Sequence, residues 1–185
     1  SVLNTRFEGA LSQMIWNGDC RDMLVDGSVF VDAMGDGIKT LSGGGYGTQR
    51  ATISDSVFEN PNRDGIDTTG GFKDSLVLNT IFRDNGVSGI DIKTIIDGPE
   101  DLNINQMNSN IRIDGSEFID NRNGVVITML DKANLLTASN ADKWMPQHIY
   151  VTDTIFAGGN NAFLIKDGHH IQWDDINLLN GVNEF

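Results

Sequence analysis

Residues 2–7 read VLNTRF. The same frame returns as VDGSVF at 25–30, ISDSVF at 53–58, VLNTIF at 77–82, IDGSEF at 113–118 and VTDTIF at 151–156, then fades into WDDINL at 173–178. A phenylalanine closes each clear copy, at Phe7, Phe30, Phe58, Phe82, Phe118 and Phe156, and Leu178 takes its place in the last. Three positions earlier stand Asn4, Gly27, Asp55, Asn79, Gly115, Asp153 and Asp175, types that tolerate left-handed backbone and sharp bends. The next position is a hydroxyl in every clear copy: Thr5, Ser28, Ser56, Thr80, Ser116 and Thr154. About seven residues after the Phe a second apolar segment follows, reading GIKT, GIDT, GIDI, GVVI and AFLI. A repeat of about 22–24 residues is one supersecondary unit stacked many times. Stacking turns sequence columns into physical columns, with neighbours about 4.8 Å apart.

The repeat is built from strands. Ile111 and Ile113, Ile149 and Val151, Ile171 and Trp173 alternate with polar residues, as do Ile90 and Ile92, Val125 and Ile127, Phe163 and Ile165. Period two argues strand rather than helix. Each coil therefore reads as strand, tight bend, short strand, loop, strand, loop, with the phenylalanines in one internal stack. The expected fold class is all-β, a solenoid of about seven coils, and 185 residues suit a single domain over 1–185. The formal charge of −13 leaves no basic footprint for nucleic acid. No apolar run approaches the roughly 18 residues of a membrane span. Cys20 is the sole cysteine, so no internal disulfide can form, and it reads as a packed thiol.

This pattern resembles the right-handed parallel β-helix of the pectate-lyase-like superfamily, over essentially the whole chain. The resemblance implies a substrate groove on the sheet that carries the GIDIK-type segments. It also implies a polysaccharide partner, most simply an acidic one, and a secreted or cell-surface location. Lyases of that superfamily combine calcium with a basic residue. The superfamily also holds epimerases, hydrolases, phage tailspikes and adhesins, so fold does not choose among them. The DPHE-like element of alginate epimerases and the NTD, DD and GHG elements of polygalacturonases do not align here. Ser1 starts in mid-repeat, and no amphipathic capping helix precedes it. The expectation is a fragment whose end coils meet the rest of a longer chain or another copy.

Three insertions break the spacing, near 41–50, 94–110 and 128–147, and all follow the GI-type strand. Long loops on one edge of a rigid scaffold carry function. The last could hold a short helix in DKANLLTASNADKWM, acting as a lid or touching substrate. Beside these loops the outward column through Asp91 reads Ile15, Lys39, Asp67, Asp91, Val126 and Leu164. The column through Lys93 reads Asn17, Leu41, Thr69, Lys93, Thr128 and Lys166. Asp36, Asp64 and Ser88 precede the repeat glycines.

Asp36, Asp64, Asp67 and Asp91 are the candidate metal ligands, since hard carboxylate oxygens suit Ca²⁺. Lys93, or else Lys39, is the candidate base for removing a C5 proton from a uronate, which requires a lowered pKa. Arg63 and Arg122 are candidates for gripping a sugar carboxylate, and Tyr46 and Trp144 for stacking on sugar rings. The leading function is a calcium-assisted lyase or epimerase on a uronate-containing glycan. One alternative is a glycoside hydrolase with Asp67 and Asp91 as its acid and base. Another is a non-enzymatic adhesin or tailspike-like segment, with the strip a mere solvated face. His148, His169 and His170 read as strand-edge residues.

Overall fold

A computed structural model describes residues 1–41, 46–102, 107–137 and 139–184. Every strand pairing among them is parallel, between one coil and the next. The second sheet stacks Ile15–Asn17, Ile38–Leu41, Asp64–Thr69, Ser88–Ile96, Asn123–Asp131 and Asn161–Ile165. The first, larger sheet holds two stacks. One carries strands such as Lys73–Leu78 and Ser109–Asp114; the other carries the phenylalanine strands, such as Ile81–Arg83 and Glu117–Ile119. Gln147–Ala157 and His169–Leu179 run through the bend unbroken and so join the two stacks. The chain is a parallel β-helix.

The phenylalanine column forms the stack that the repeat predicts. Successive rings from Phe7 to Phe156 lie 5.0, 4.6, 5.1, 4.8 and 4.8 Å apart, nearly parallel. The spacing is that of the strands, so strand pairing and aromatic contact are made by one translation. Leu178 pairs in register with Phe156 but is 39% exposed. Around this column one apolar core runs through the coils.

The hydroxyl column is a second ladder. Ser28, Ser56, Thr80, Ser116 and Thr154 are buried. Each donates to the carbonyl two residues back, as Ser56 does to Ser54 at 2.7 Å and Thr80 to Leu78 at 2.9 Å. Several also accept an N–H from the preceding coil, as Ser56 does from Ser28 at 3.1 Å. Thus a bend that would strand a buried donor is closed by the coil above it.

Corners are made by single left-handed residues. Asn4, Asp55, Asn79, Asp153 and Asp175 have φ near +50°, in the column the sequence marks. Two more such columns exist. Asp32, Asn60, Asp84, Asp120 and Asn180 stand two residues after the phenylalanine position; Asp22, Arg50, Asp74, Asn110, His148 and His170 stand eight before it.

The outward columns hold from the second coil onward, but the first coil is shifted by one. Trp16, not Ile15, pairs with Lys39, and Asn17 pairs with Thr40 rather than Leu41. Inward burial explains the shift: Ile15 packs against the core while Trp16 is exposed.

Two insertions also differ from expectation. Thr94–Ile96 and Thr128–Asp131 belong to extended strands, so these loops begin later than their sequence breaks suggest. The helix expected in DKANLLTASNADKWM is, among the described residues, only a 3-10 turn at Ala141–Trp144. Asp131 accepts from the N–H groups of Leu135 and Leu136, at 3.0 and 2.8 Å, and Asn134 is left-handed. That turn chemistry competes with a helix. Residues 42–45 of the first insertion, 103–106 of the second and 138 of the third lie outside the described residues.

Candidate functional site

The GI-type strands turn Lys39, Asp67, Asp91 and Val126 onto one outward row, and Leu41, Thr69, Lys93 and Thr128 onto the next. A solvated face would leave them wet. Instead Asp36, Asp64 and Asp67 are fully buried or nearly so, and Asp91 and Lys93 are each only 8% exposed.

Within it the charges interlock. Lys93 Nζ lies 2.8 Å from Asp67 Oδ1 and 2.6 Å from Asp91 Oδ2. Lys39 holds the other Asp67 oxygen. Lys39 and Arg63 each approach Asp36 at 3.7 Å. The stacked Asp67–Asp91 pair is therefore bridged by Lys93, which relieves its repulsion. Four carboxylates face three cations. Asp64 is the carboxylate left over: both its oxygens are buried without a hydrogen-bond partner among the described residues, as are Asp91 Oδ1 and Ser88 Oγ.

The titrations follow this arrangement. Burial, reinforced by the Asp91 charge, pushes Asp64 up to about 7, so one proton balances the cluster near neutrality. Burial opposes ionisation of Asp67, but Lys93 and Lys39 outweigh it and hold its carboxyl below the usual value. Asp91 is pushed up by burial against the pull of Lys93. Burial opposes the Lys93 charge, yet Asp91 and Asp67 overcome it and raise its pKa. A lysine base needs the opposite shift. Lys93 is an ammonium here, fitted to hold an anion.

Above the strip lies a groove of about 580 Å³. Its charged lining is Lys39, Arg63, Lys93, Lys132 and Lys166 against a single carboxylate, Asp91. Leu41, Ile95, Val126, Leu130 and Leu164 supply apolar walls. Lys132 also bridges two insertions by pairing with Asp97 at 3.1 Å. Lys132 and Lys166 were not singled out from the sequence as groove residues: Lys132 sits in an insertion, and Lys166, though in the Lys93 column, lies two coils beyond the charged strip.

The remaining candidates do not join the groove. Arg122 is exposed outside it. Tyr46 is exposed and lies under Arg21, whose guanidinium is 4.8 Å from the ring centre. Trp144 is 5% exposed and packs with Ile96 and Met107 in a small second core. The three histidines sit on the first-sheet side; His148 and His170 stack on each other at 4.8 Å. Cys20 is a half-buried free thiol.

For a metal, Asp36, Asp64 and Asp67 each offer a carboxylate oxygen within 4.8 Å of the others. With the orphaned Asp64 oxygens, this trio fits a hard, oxygen-seeking cation. Asp91 lies outside the trio and is turned to Lys93.

A family model described as a right-handed beta helix region matches residues 1–154. No curated protein matches the chain.

Proposed function

The chain belongs to the right-handed beta helix family, and on that scaffold we propose that it binds a uronate-containing polysaccharide along the second-sheet groove and acts at C5 of a bound uronate. The observation that carries this reading is the groove's charge. In a protein of net charge −13 the groove brings five cationic side chains to one concavity, four of them paired with Asp36, Asp67, Asp91 or Asp97 and Lys166 with no carboxylate partner among the described residues. Such focusing raises the local concentration of an anionic ligand. Lys93, Lys39 and Lys166 would neutralise sugar carboxylates, and the apolar walls would meet the faces of the rings.

Neutralising a uronate carboxylate acidifies its C5 proton. Asp91 is the fitting base: it lines the groove and its pKa is raised. The C–H electron pair then delocalises into the carboxylate that the ammonium groups hold. Expelling the C4 oxygen gives a lyase product, and returning a proton to the other face gives epimerisation. Calcium, held by Asp36, Asp64 and Asp67, would supply further positive charge beneath the same carboxylate.

A second reading is glycan binding without turnover. The firm protonation of Lys93 and the double pairing of Asp67 favour it, because both suit a static anion grip. One experiment separates the two. Alginate and polygalacturonate oligomers are incubated with the protein in D₂O, with and without Ca²⁺. Absorbance reports unsaturated uronate, and NMR reports deuterium at C5. Turnover should appear in at least one substrate and fall at least 100-fold in Asp91→Asn. Retention on an acidic-glycan gel, weakening with salt and in Lys166→Ala, with neither unsaturated uronate nor deuterium at C5, would establish binding alone. Absence of retention would remove the uronate reading.

A further inference from the structure

We infer that the outer face of the first sheet carries a separate binding site for a neutral, hydroxyl-rich saccharide, centred on Tyr150. A concavity of about 500 Å³ lies there, lined by Asp74, Leu76, Asn110, Arg112, Tyr150 and Thr152. Leu76, Arg112 and Tyr150 pair in register across three adjacent strands, so they form one row about 10 Å long. A neighbouring concavity of about 540 Å³ shares Tyr150 and Thr152 and continues the trough to Gln172.

The lining has the chemistry of a sugar subsite. Tyr150 is half-buried, and its hydroxyl makes no hydrogen bond among the described residues. Leu76, at 38% exposure, offers an apolar plate on the far side of Arg112. Sugar rings present C–H faces to such plates and hydroxyl edges to planar polar groups between them. Asn110, Arg112 and Asp74 are those groups, and a planar fork suits paired hydroxyls.

Charge selects a neutral ligand. The single cation, Arg112, is already paired with Asp114 at 3.0 Å, and Asp74 adds a carboxylate that accepts from Asn110 at 2.7 Å. A uronate would meet no surplus positive charge here, whereas the second-sheet groove adds Lys166, which pairs with no carboxylate among the described residues. The two sites stand on different sheets and serve different sugars.

Native gels containing dextran, mixed-linkage β-glucan, galactomannan or arabinoxylan test the site on the full chain. Retarded migration is expected in at least one neutral gel. Tyr150→Ala should weaken it at least tenfold and Arg112→Ala several-fold, while Lys166→Ala leaves it unchanged. Circular dichroism checks each variant's fold. Leu76→Asp, a change at an exposed position, gives a second route to the same loss should Tyr150→Ala not fold. Alginate gels run in parallel read the other groove separately, and there Tyr150→Ala should behave like the unsubstituted protein. No retardation in any neutral gel, or retardation that survives the folded row variants, overturns the site.

Discussion

At the scale of single residues, Asp64 is where folding and ionisation conflict most. Its folded pKa is raised to about 7 from the ordinary 3.8, chiefly by burial. The folded chain thus keeps this proton up to about pH 7, whereas the unfolded chain releases it near pH 4. Between those values folding takes up a proton, so stability falls as pH rises and the loss is complete above about pH 7. A pKa difference of that size between the folded and unfolded chain is worth on the order of a few kcal/mol. Asp67 does not mask this slope, because its lowered pKa acts only at more acid pH. Asp64→Asn should therefore flatten the decline between pH 4 and 7 and melt higher than the unsubstituted protein at pH 8. Parallel melting curves for the two proteins across that range would refute the assignment. The sequence shows the acidic strip as residue types in register, but not its burial. Alternation places Asp67 and Asp91 outward, and period two alone does not tell an outward position that is wet from one that is buried.

At the scale of the coil, the column glycines and the phenylalanines form one contact. A Cβ on Gly65 would stand 2.6 Å from the Phe82 ring and 2.7 Å from the Gly89 carbonyl. Gly37, Gly89 and Gly124 face the rings of Phe58, Phe118 and Phe156 in the same way. The glycine that opens each GI-type strand is needed for ring clearance rather than for a special φ. Phe82→Ala removes a fully buried ring between two others and should cost about 3–5 kcal/mol. Gly65→Ala, which overpacks the same contact, should cost about 1–3 kcal/mol. If the clash is the cause, the double variant should be less destabilised than the sum, by urea denaturation; strict additivity would show that the two positions do not share a contact. The phenylalanine and hydroxyl columns were legible because each obeys one geometric demand in every clear coil. The second left-handed column was equally written, as Asp, Asn and Gly two residues after each phenylalanine; the third was not, since Arg50, His148 and His170 stand in it. The cluster of Ile96, Met107 and Trp144 was not legible, since its partners come from two insertions that share no pattern.

Across the whole molecule, each coil touches only its neighbours, so stability should be distributed along the axis rather than held in common. The middle coils have a partner on both sides: Phe58, Phe82 and Phe118 are buried between stacked rings. Phe7 has a ring on one side only and is half-buried, and in the described first coil Leu11 and Trp16 are 86% and 68% exposed. In the last strand Leu178 and Leu179 lie open in the same way. Amide exchange should consequently be slowest in Ser75–Val77, Ile90–Ile92 and Ile111–Ile113, and become faster towards both ends of this chain. Phe7→Ala should cost clearly less than Phe82→Ala and should speed exchange only in the first coils, leaving the middle protected. Uniform protection from Val2 to Leu179, or a Phe7→Ala effect that spreads evenly over all coils, would mean that the solenoid unfolds as one cooperative block and that the coil is not its unit of stability.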